Sequence, residues 1–437
     1  MKPINVGLLG IGTVGGGTWT VLTRNAEEIT RRAGRPICIT TVADRNLERA
    51  RTVTGGAARL VDDAFAVVKD PEIDIVVELI GGCTVAKDLV LAAIENGKHV
   101  VTANKALLAM HGNEIFAAAQ KKGVMVAFEA AVAGGIPIIK ALREGLTANR
   151  IQWLAGIING TTNFILSEMR DKGLAFDVVL KEAQALGYAE ADPTFDIEGN
   201  DAAHKAAIMA SIAFGIPMQY ERAHIEGITQ LQATDIAYAE QLGYRIKLLG
   251  IARKREDGVE LRVHPTLVPA RRLLANVEGA MNAVLVQADA VGPTLYYGKG
   301  AGDEPTASAV IADLVDVTRM HTADPEHRVP HLAFQPDQLE DIPVLPIDEC
   351  RCGYYMRLRV DDKPGVLADI TRILADNDIS IDALIQKAPA EGESQTDIIL
   401  LTHITVERNA NAAIARIEAL PVVAGKVVRL RMEELDS

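Results

Sequence analysis

Cysteine is scarce: Cys38, Cys83, Cys350 and Cys352 are the four among 437 residues. So few thiols in so long a chain suit a reducing compartment. Cys350 and Cys352 stand two apart, a poor metal spacing with no second pair to complete a tetrahedral site, so unpaired thiols are expected. Positive charge is short as well. A formal net charge of −13 repels phosphate backbones, and no basic run is long enough to form a nucleic-acid patch. No apolar stretch reaches the ~18–20 residues of a membrane span, and no basic-then-apolar signal segment precedes the first strand pattern. Internal repeats and low-complexity tracts are missing too. The expectation left standing is a cytoplasmic enzyme that binds neither nucleic acid nor membrane.

What is present is ordinary globular composition, 49% hydrophobic and 24% charged. The length suggests about two to four domains. Residues 4–130 alternate strand and helix. Short β-branched runs at 4–9, 37–42, 73–79, 99–101 and 124–128 read as buried parallel strands. Residues 84–96 and 112–121 read as covering helices, stopped by Asn96-Gly97 and Gly123. From about 131 the alternation breaks at Gly134-Gly135-Ile136-Pro137. Helices are expected at 138–147, 162–171, 176–186 and 197–214, and strands over 261–300. An amphipathic stretch at 307–318 could carry the chain back to the first domain. Five prolines between 325 and 346 mark 321–349 as a linker. Beyond it the order β-α-β-β-α-β is the ferredoxin-like arrangement, and it reads as a self-contained unit.

Gly10-Ile11-Gly12-Thr13-Val14-Gly15 fits the dinucleotide fingerprint. The first glycine permits the tight turn, the second lets backbone approach the pyrophosphate, and the third lets helix pack on strand, with the helix N-terminus facing the phosphates. Asp44 ends a second strand where a ribose-binding acid belongs, although later than the usual ~20 residues. Arg45 follows it. An acid favours the 2′-hydroxyl of NAD and an arginine the 2′-phosphate of NADP, so the preference stays open.

Hydride transfer to or from an alcohol needs a proton donor and acceptor. No histidine has persuasive surroundings; His99 and His111 read as packing or surface residues. Lys105 follows a parallel strand at its C-terminal end, where open α/β sheets bind ligands. Lys205 lies four residues after Asp201, on one helix face flanked by alanines, Ile208 and Met209. A charged pair on so covered a helix should have a purpose. Cys83 could instead be the nucleophile of an acylating aldehyde dehydrogenase, but no histidine is placed to activate it.

Several longer segments resemble one family. They are Val77-Glu-Leu-Ile-Gly-Gly82, Val101-Thr-Ala-Asn-Lys105, Phe128-Glu-Ala-Ala-Val-Ala-Gly-Gly-Ile-Pro137, Ile158-Asn-Gly-Thr-Thr-Asn163, Leu186-Gly-Tyr-Ala-Glu-Ala-Asp-Pro193, the run 196–205 and Gly300-Ala-Gly-Asp-Glu-Pro-Thr-Ala307. Together they resemble the monofunctional homoserine dehydrogenases that carry a C-terminal ACT domain. The resemblance implies an α/β enzyme with a Rossmann-type doubly wound sheet (1–130, with 305–320 returning to it). It implies an α+β substrate-binding and dimerisation domain (131–304), the linker, and a ferredoxin-like ACT domain (350–437). It implies NADP- or NAD-dependent interconversion of L-homoserine and L-aspartate 4-semialdehyde, in the biosynthesis of threonine, methionine and isoleucine. Lys205 and Lys105 would be the acid–base lysines, with Lys205 the proton donor. Glu190, Asp201 and Asp196 would bind substrate. Thr102, Lys105 and Gly302 would join Gly10, Gly12, Thr13, Val14, Gly15, Asp44 and Arg45 at the cofactor. Glu129, Val132, Gly134 and Ile136 match the family's monovalent-cation loop, for sodium, mostly through carbonyls. Asp361-Asp362-Lys363-Pro364-Gly365-Val366-Leu367 resembles the strand-to-helix turn of ACT domains, which bind amino acids at paired interfaces. A homodimer or homotetramer regulated by L-threonine would follow. The family's Gly-Gly-x-x-Pro reads Gly81-Gly82-Cys83-Thr84-Val85 here, which alters a local turn. A nucleotide-sensing regulator without catalysis is the competing class, and loss of either lysine would have favoured it. No catalytic candidate lies beyond the linker, so the first two domains are expected to fold without the tail.

Overall fold

A computed structural model describes residues 2–389 and 391–435. The last two positions of the expected tail domain, 436–437, lie outside the described residues. The N-terminal part runs β1 (Ile4–Leu9), α1 (Thr13–Arg24), α2 (Ala26–Ala33), β2 (Ile37–Ala43), α3 (Leu47–Thr54), β3 (Arg59–Val61), α4 (Ala64–Val68), β4 (Ile75–Glu78), α5 (Thr84–Glu95), β5 (His99–Thr102), α6 (Lys105–Lys122) and β6 (Val126–Ala127). The strands form a six-stranded sheet in the order β3-β2-β1-β4-β5-β6, and every pairing in it is parallel. Isoleucine, valine and leucine runs suit it, because helices cover both faces and leave no wet side. The extra helix α2, between α1 and β2, is what pushes Asp44 beyond its usual distance from the glycine loop. The altered turn is absorbed without proline: Gly81 and Gly82 take φ of 80° and 73°, and α5 starts at Thr84 with Val85 exposed.

A second set of elements follows: α7 (Ile138–Lys140), β7 (Ile151–Ile157), α8 (Gly160–Lys172), α9 (Phe176–Ala185), α10 (Thr194–Ile197), α11 (Asn200–Phe214), β8 (His224–Ile225), α12 (Ala233–Gln241), β9 (Tyr244–Lys254), β10 (Val259–Pro269), β11 (Met281–Ala288) and β12 (Gly292–Lys299). Helix α11 is buried at every position from Asp201 to Phe214. Its small alanines admit close neighbours on all sides, among them β9, β10 and α6. Helix α13 (Asp303–Met320) returns to the first sheet. Its Val310, Ile311 and Leu314 share a core with Val6 and Leu8 of β1. A Cβ on Gly17 of α1 would come within 2.6 Å of the Asp303 carbonyl, which is why that helix face carries glycine.

The tail runs β13 (Arg351–Asp361), α14 (Val366–Asp376), β14 (Ile381–Gln386), β15 (Gln395–Thr402), β16 (Thr405–Val406), α15 (Glu407–Glu418) and β17 (Val423–Met432). It differs from a self-contained unit. Its strands continue the second sheet, an eleven-stranded sheet with the path β12-β11-β7-β9-β10-β17-β13-β15-β14. The seam is the parallel pairing of Thr266 and Leu267 in β10 with Arg431 and Met432 in β17. The proline-rich stretch 321–349 is packed down rather than free: Leu332 and Val344 are buried, and Val259 exchanges main-chain hydrogen bonds with Pro343 and Leu345 at 2.9 and 2.8 Å. Among the described residues no helix is long and apolar enough to cross a membrane.

Candidate active site

The glycine loop leaves β1 with Gly10 at φ 93°, where a Cβ would meet the Leu79 carbonyl at 2.8 Å. A Cβ on Gly15 would meet the Gly10 carbonyl at 2.1 Å, whereas one on Gly12 would have nothing within 4 Å. Gly10 and Gly15 are thus demanded by packing, and Gly12 stands beside open space. No side chain caps α1, which begins at Thr13 and Val14. That uncapped N-terminus is suited to a phosphate group. Alongside lies a cavity of 730 Å³ lined by Gly10, Gly12, Asp44, Arg45, Gly81 and Cys83, among others. These residues fit a dinucleotide. Asp44 also holds the loop itself, accepting from the Ile11 N–H at 2.7 Å and the Asn46 N–H at 2.8 Å. Arg45 is exposed at the rim. Gly302, at φ 126°, precedes α13, whose Asp303 and Glu304 line a second hollow with Gly12 and Thr13.

Strands β4 and β5 end together. Thr102 donates its hydroxyl to the buried Glu78 carboxylate at 2.7 Å and accepts from the Asn104 N–H at 3.0 Å. The other Glu78 oxygen accepts from the N–H groups of Ile80 and Gly81. Asn104 donates to the Gly82 carbonyl and caps α6 by accepting from the Leu107 N–H. Lys105 is therefore the first residue of that helix, which starts earlier than the expected 112; Leu107 and Leu108 of its first turn are fully buried.

Across the cleft, Lys105 meets α11. Its Nζ is 2.9 Å from Asp201 Oδ1, and Lys205 Nζ is 2.7 Å from Asp201 Oδ2. Lys205 also donates to the Ile158 carbonyl at 2.8 Å. Asp201 is 3% exposed. Burial opposes its charge, but Lys205 and Lys105 outweigh that and hold its carboxyl well below the usual range. The lysines part ways. Burial drives Lys205 below its ordinary 10.5, with Lys105 adding repulsion against the pull of Asp201. Burial acts on Lys105 too, but Asp201, Asp196 and Glu190 raise it overall. Asp196 is lifted by burial and by Asp201. Glu190 is exposed and near enough to Lys105 to raise its pKa. The structure thus brings Lys105, Lys205, Asp196, Asp201 and Glu190 together.

Two residues that sequence reasoning did not single out join them. Asn159 donates to Asp196 at 2.7 Å and to Asp201 at 2.8 Å; Thr161 donates to the Tyr188 carbonyl at 2.7 Å. Both stand in the run 158–163, one of the segments that carry the resemblance, in which no single residue was picked out. His204 sits on the same helix as Lys205, its ring 4.2 Å from that of Tyr220. Burial lowers its pKa to about 4, so it stays neutral. His99 is buried, and its Nδ1 accepts from the Met125 N–H at 2.9 Å. Cys83 is held up by burial and then by Glu78, which keeps it a thiol and a poor nucleophile. All four cysteines are free.

The loop 129–136 is apart from this cluster. The two Glu129 carboxylate oxygens accept from the Ile139 and Lys140 N–H groups at 2.9 and 2.8 Å. Val132, Gly134 and Ile136 can offer only carbonyls. Consecutive left-handed residues, Ala133 at φ 55° and Gly134 at φ 49°, curl the buried loop. Such a loop fits a hard cation taking neutral oxygens.

Fold and site define a class: a nicotinamide-dependent dehydrogenase. Residues 10–129 match the homoserine dehydrogenase NAD-binding domain, 137–315 the homoserine dehydrogenase family, and 354–422 the ACT domain. Homoserine dehydrogenase of Pseudomonas aeruginosa is 64% identical over 436 residues, with both chains fully covered. The crystal structure of a homoserine dehydrogenase from Thiobacillus denitrificans is 74% identical, with a TM-score of 0.96 over 100% of this chain and 99% of that one. A hyperthermophilic archaeal homoserine dehydrogenase solved with NADPH is 26% identical, with a TM-score of 0.62 over 72% of this chain and 98% of its own. The chain belongs to the homoserine dehydrogenase family: it is an NAD(P)-dependent oxidoreductase of amino-acid biosynthesis that carries an ACT domain.

Proposed function

We propose that Lys205 gives and takes the proton as L-aspartate 4-semialdehyde and L-homoserine interconvert. One observation carries this: the buried Asp201 carboxylate bridges two lysines at the C-terminal end of β5. The nicotinamide, when bound, supplies or accepts the hydride. The chain's part is placement and proton transfer. An ammonium has three N–H donors. Lys205 gives one to Asp201 and one to the Ile158 carbonyl, which leaves one for the substrate oxygen. As negative charge builds on that oxygen, Lys205 protonates it and Lys105 stabilises it. A lysine held below 10.5 releases its proton more readily, and the reverse reaction recovers it.

Glu190 and Asp196, with Asp201 behind them, bind the substrate's ammonium. Glu190→Gln is expected to raise KM for homoserine about 10–100-fold, the cost of one charge-assisted hydrogen bond, with KM for the cofactor unchanged. Steady-state kinetics check this, and an unchanged homoserine KM would remove Glu190 from the site.

Gly10, Gly12, Thr13, Val14 and Gly15 take the pyrophosphate, with Gly302 across from them and Thr102 and Lys105 at the nicotinamide end. Asp44 and Arg45 together accept both NAD and NADP. Asp44→Ala is expected to raise KM for both, because Asp44 also holds the Ile11 N–H, and to raise it more for NAD, whose free 2′-hydroxyl it would bind. Equal effects on the two would place Asp44 in the loop alone. Glu129, Val132, Gly134 and Ile136 hold a sodium ion through carbonyls. The ACT domain senses L-threonine, and the enzyme is a cytoplasmic homodimer or homotetramer.

A further inference from the structure

We propose that Asn159 is a positioning residue of the acid–base pair, holding Asp201 and Asp196 in the arrangement that leaves each lysine its own carboxylate oxygen. This rests on the reading of Lys205 given above. Asn159 is 5% exposed and is the N-cap of α8. Its Oδ1 accepts from the Thr162 N–H at 2.8 Å and from the Thr162 hydroxyl at 2.9 Å. A backbone N–H can only donate, so the amide oxygen must face it. The amide NH2 is thereby turned to the carboxylates, and both of its hydrogens are used: Asp196 Oδ1 at 2.7 Å and Asp201 Oδ2 at 2.8 Å.

The consequences follow from charge. Asp196 and Asp201 repel one another in a buried site, and a neutral double donor between them is the group that can hold them close without disturbing the lysines. With the Asn159 N–H on one oxygen, the plane of the Asp201 carboxylate is held. Oδ2 then stays on Lys205 and Oδ1 on Lys105. The neighbouring residue completes the hold, because the Ile158 carbonyl takes a second Lys205 hydrogen. Two consecutive residues thus fix the acid and its counter-ion, and the third Lys205 hydrogen points in one direction. The site needs at one position an acceptor for the helix cap and two donors for the carboxylates. Asparagine combines them at the length an N-cap allows; aspartate and serine supply the cap without the two donors.

That difference makes the test. Asn159→Asp is isosteric and remains a good cap, so a residue that only capped α8 would tolerate it. The positioning role predicts an unchanged cofactor KM, with kcat lowered about 10–100-fold as reacting groups lose their alignment; the thermal midpoint should fall as well, because the new carboxylate faces Asp196 and Asp201. It also predicts that the alkaline limb of the reduction rate moves to higher pH, because a third carboxylate beside Lys205 stabilises its ammonium. Asn159→Ser, which adds no charge, should lower kcat without that upward move, and it serves if the aspartate variant does not fold. Wild-type kcat and pH profile in Asn159→Asp would overturn the role and leave Asn159 a cap. Lys205→Met measured in parallel separates the two failures. If it is crippled while Asn159→Asp is normal, only the positioning role falls; if Lys205→Met is itself unimpaired, the reading of Lys205 falls and this inference with it.

Discussion

Replacing Lys205 by alanine is expected to lower turnover by about 10²–10⁴, the usual worth of a general acid, while leaving cofactor affinity nearly untouched. The loss should appear in kcat in both directions, because the same group gives the proton in reduction and takes it in oxidation. Lys105 remains in the variant and still pairs with Asp201, so the carboxylate is not left without a cation and the helix should stay packed. The Ile158 carbonyl loses its partner, which water can replace in the space vacated. Lys205→Met, which keeps the apolar stem, controls for any packing loss and should be as slow. Equilibrium titration of NADPH by fluorescence, run beside the kinetics, checks the second half of the expectation. Turnover near that of the unaltered chain would give the proton transfer to another group, and Lys105 is the one placed for it.

Cutting the chain after Pro346 is expected to be far more damaging than the linker suggests. Arg262 is 1% exposed, and its guanidinium pairs with Glu433 of the tail as well as with Glu260. Asp235, fully buried, accepts from Tyr355 at 2.9 Å and from Arg357 at 2.6 Å. Glu226 faces Arg429 and Arg431. Removing the tail strips partners from all three and opens the edge of β10. Asp235 and Arg262 are the buried charges of the three, and a charge that stays buried after losing a partner costs about 3–5 kcal/mol, where a typical domain has only about 5–15 in all; Glu226 is already partly exposed and keeps His224. The truncated chain should therefore be insoluble or melt many degrees lower. The archaeal homoserine dehydrogenase, matched over 98% of its own length, spans 72% of this chain, and the defect should be repairable. Arg262→Met, Asp235→Asn and Glu226→Gln together in the truncated chain should restore solubility and dehydrogenase activity, now indifferent to L-threonine. A truncated chain with its own sequence intact that melts where the full chain does would show that the seam contributes little.

How far the sequence carries can be judged from these same residues. The parallel sheet was legible because strands buried on both faces must be apolar throughout, and the glycine loop because Gly10 and Gly15 each answer a steric demand while Gly12 borders open space. Asp201 and Lys205 were legible because four residues make one helical turn and the alanines around them left no wet face. The seam between β10 and β17 was not. Pairing between strands more than 150 residues apart leaves no local pattern. Arg431 of β17 is in fact buried against Glu226 and Glu407. Asn159 stood only within the segment 158–163 that carries the resemblance; neither its cap nor its amide was read from the sequence, because one side chain that serves both a helix and a site leaves no pattern of its own. The start of α6 was placed late, although Leu107 and Leu108 of its first turn are fully buried; its cap, Asn104, was not read as one.

The central claim is that a buried lysine, held below its ordinary pKa beside Asp201, moves the proton. The most direct measurement is kcat against pH in both directions for the full chain and for Lys205→Met. Reduction needs the ammonium, so its rate should fall as pH rises through a midpoint below 10.5. Oxidation needs the free amine, so its rate should rise through a related midpoint. Both limbs should vanish in Lys205→Met, whose residual rate should be nearly flat. The contradicting result is a Lys205→Met enzyme that keeps the same two limbs at the same pH, which would mean that some other group titrates and Lys205 only fills the helix.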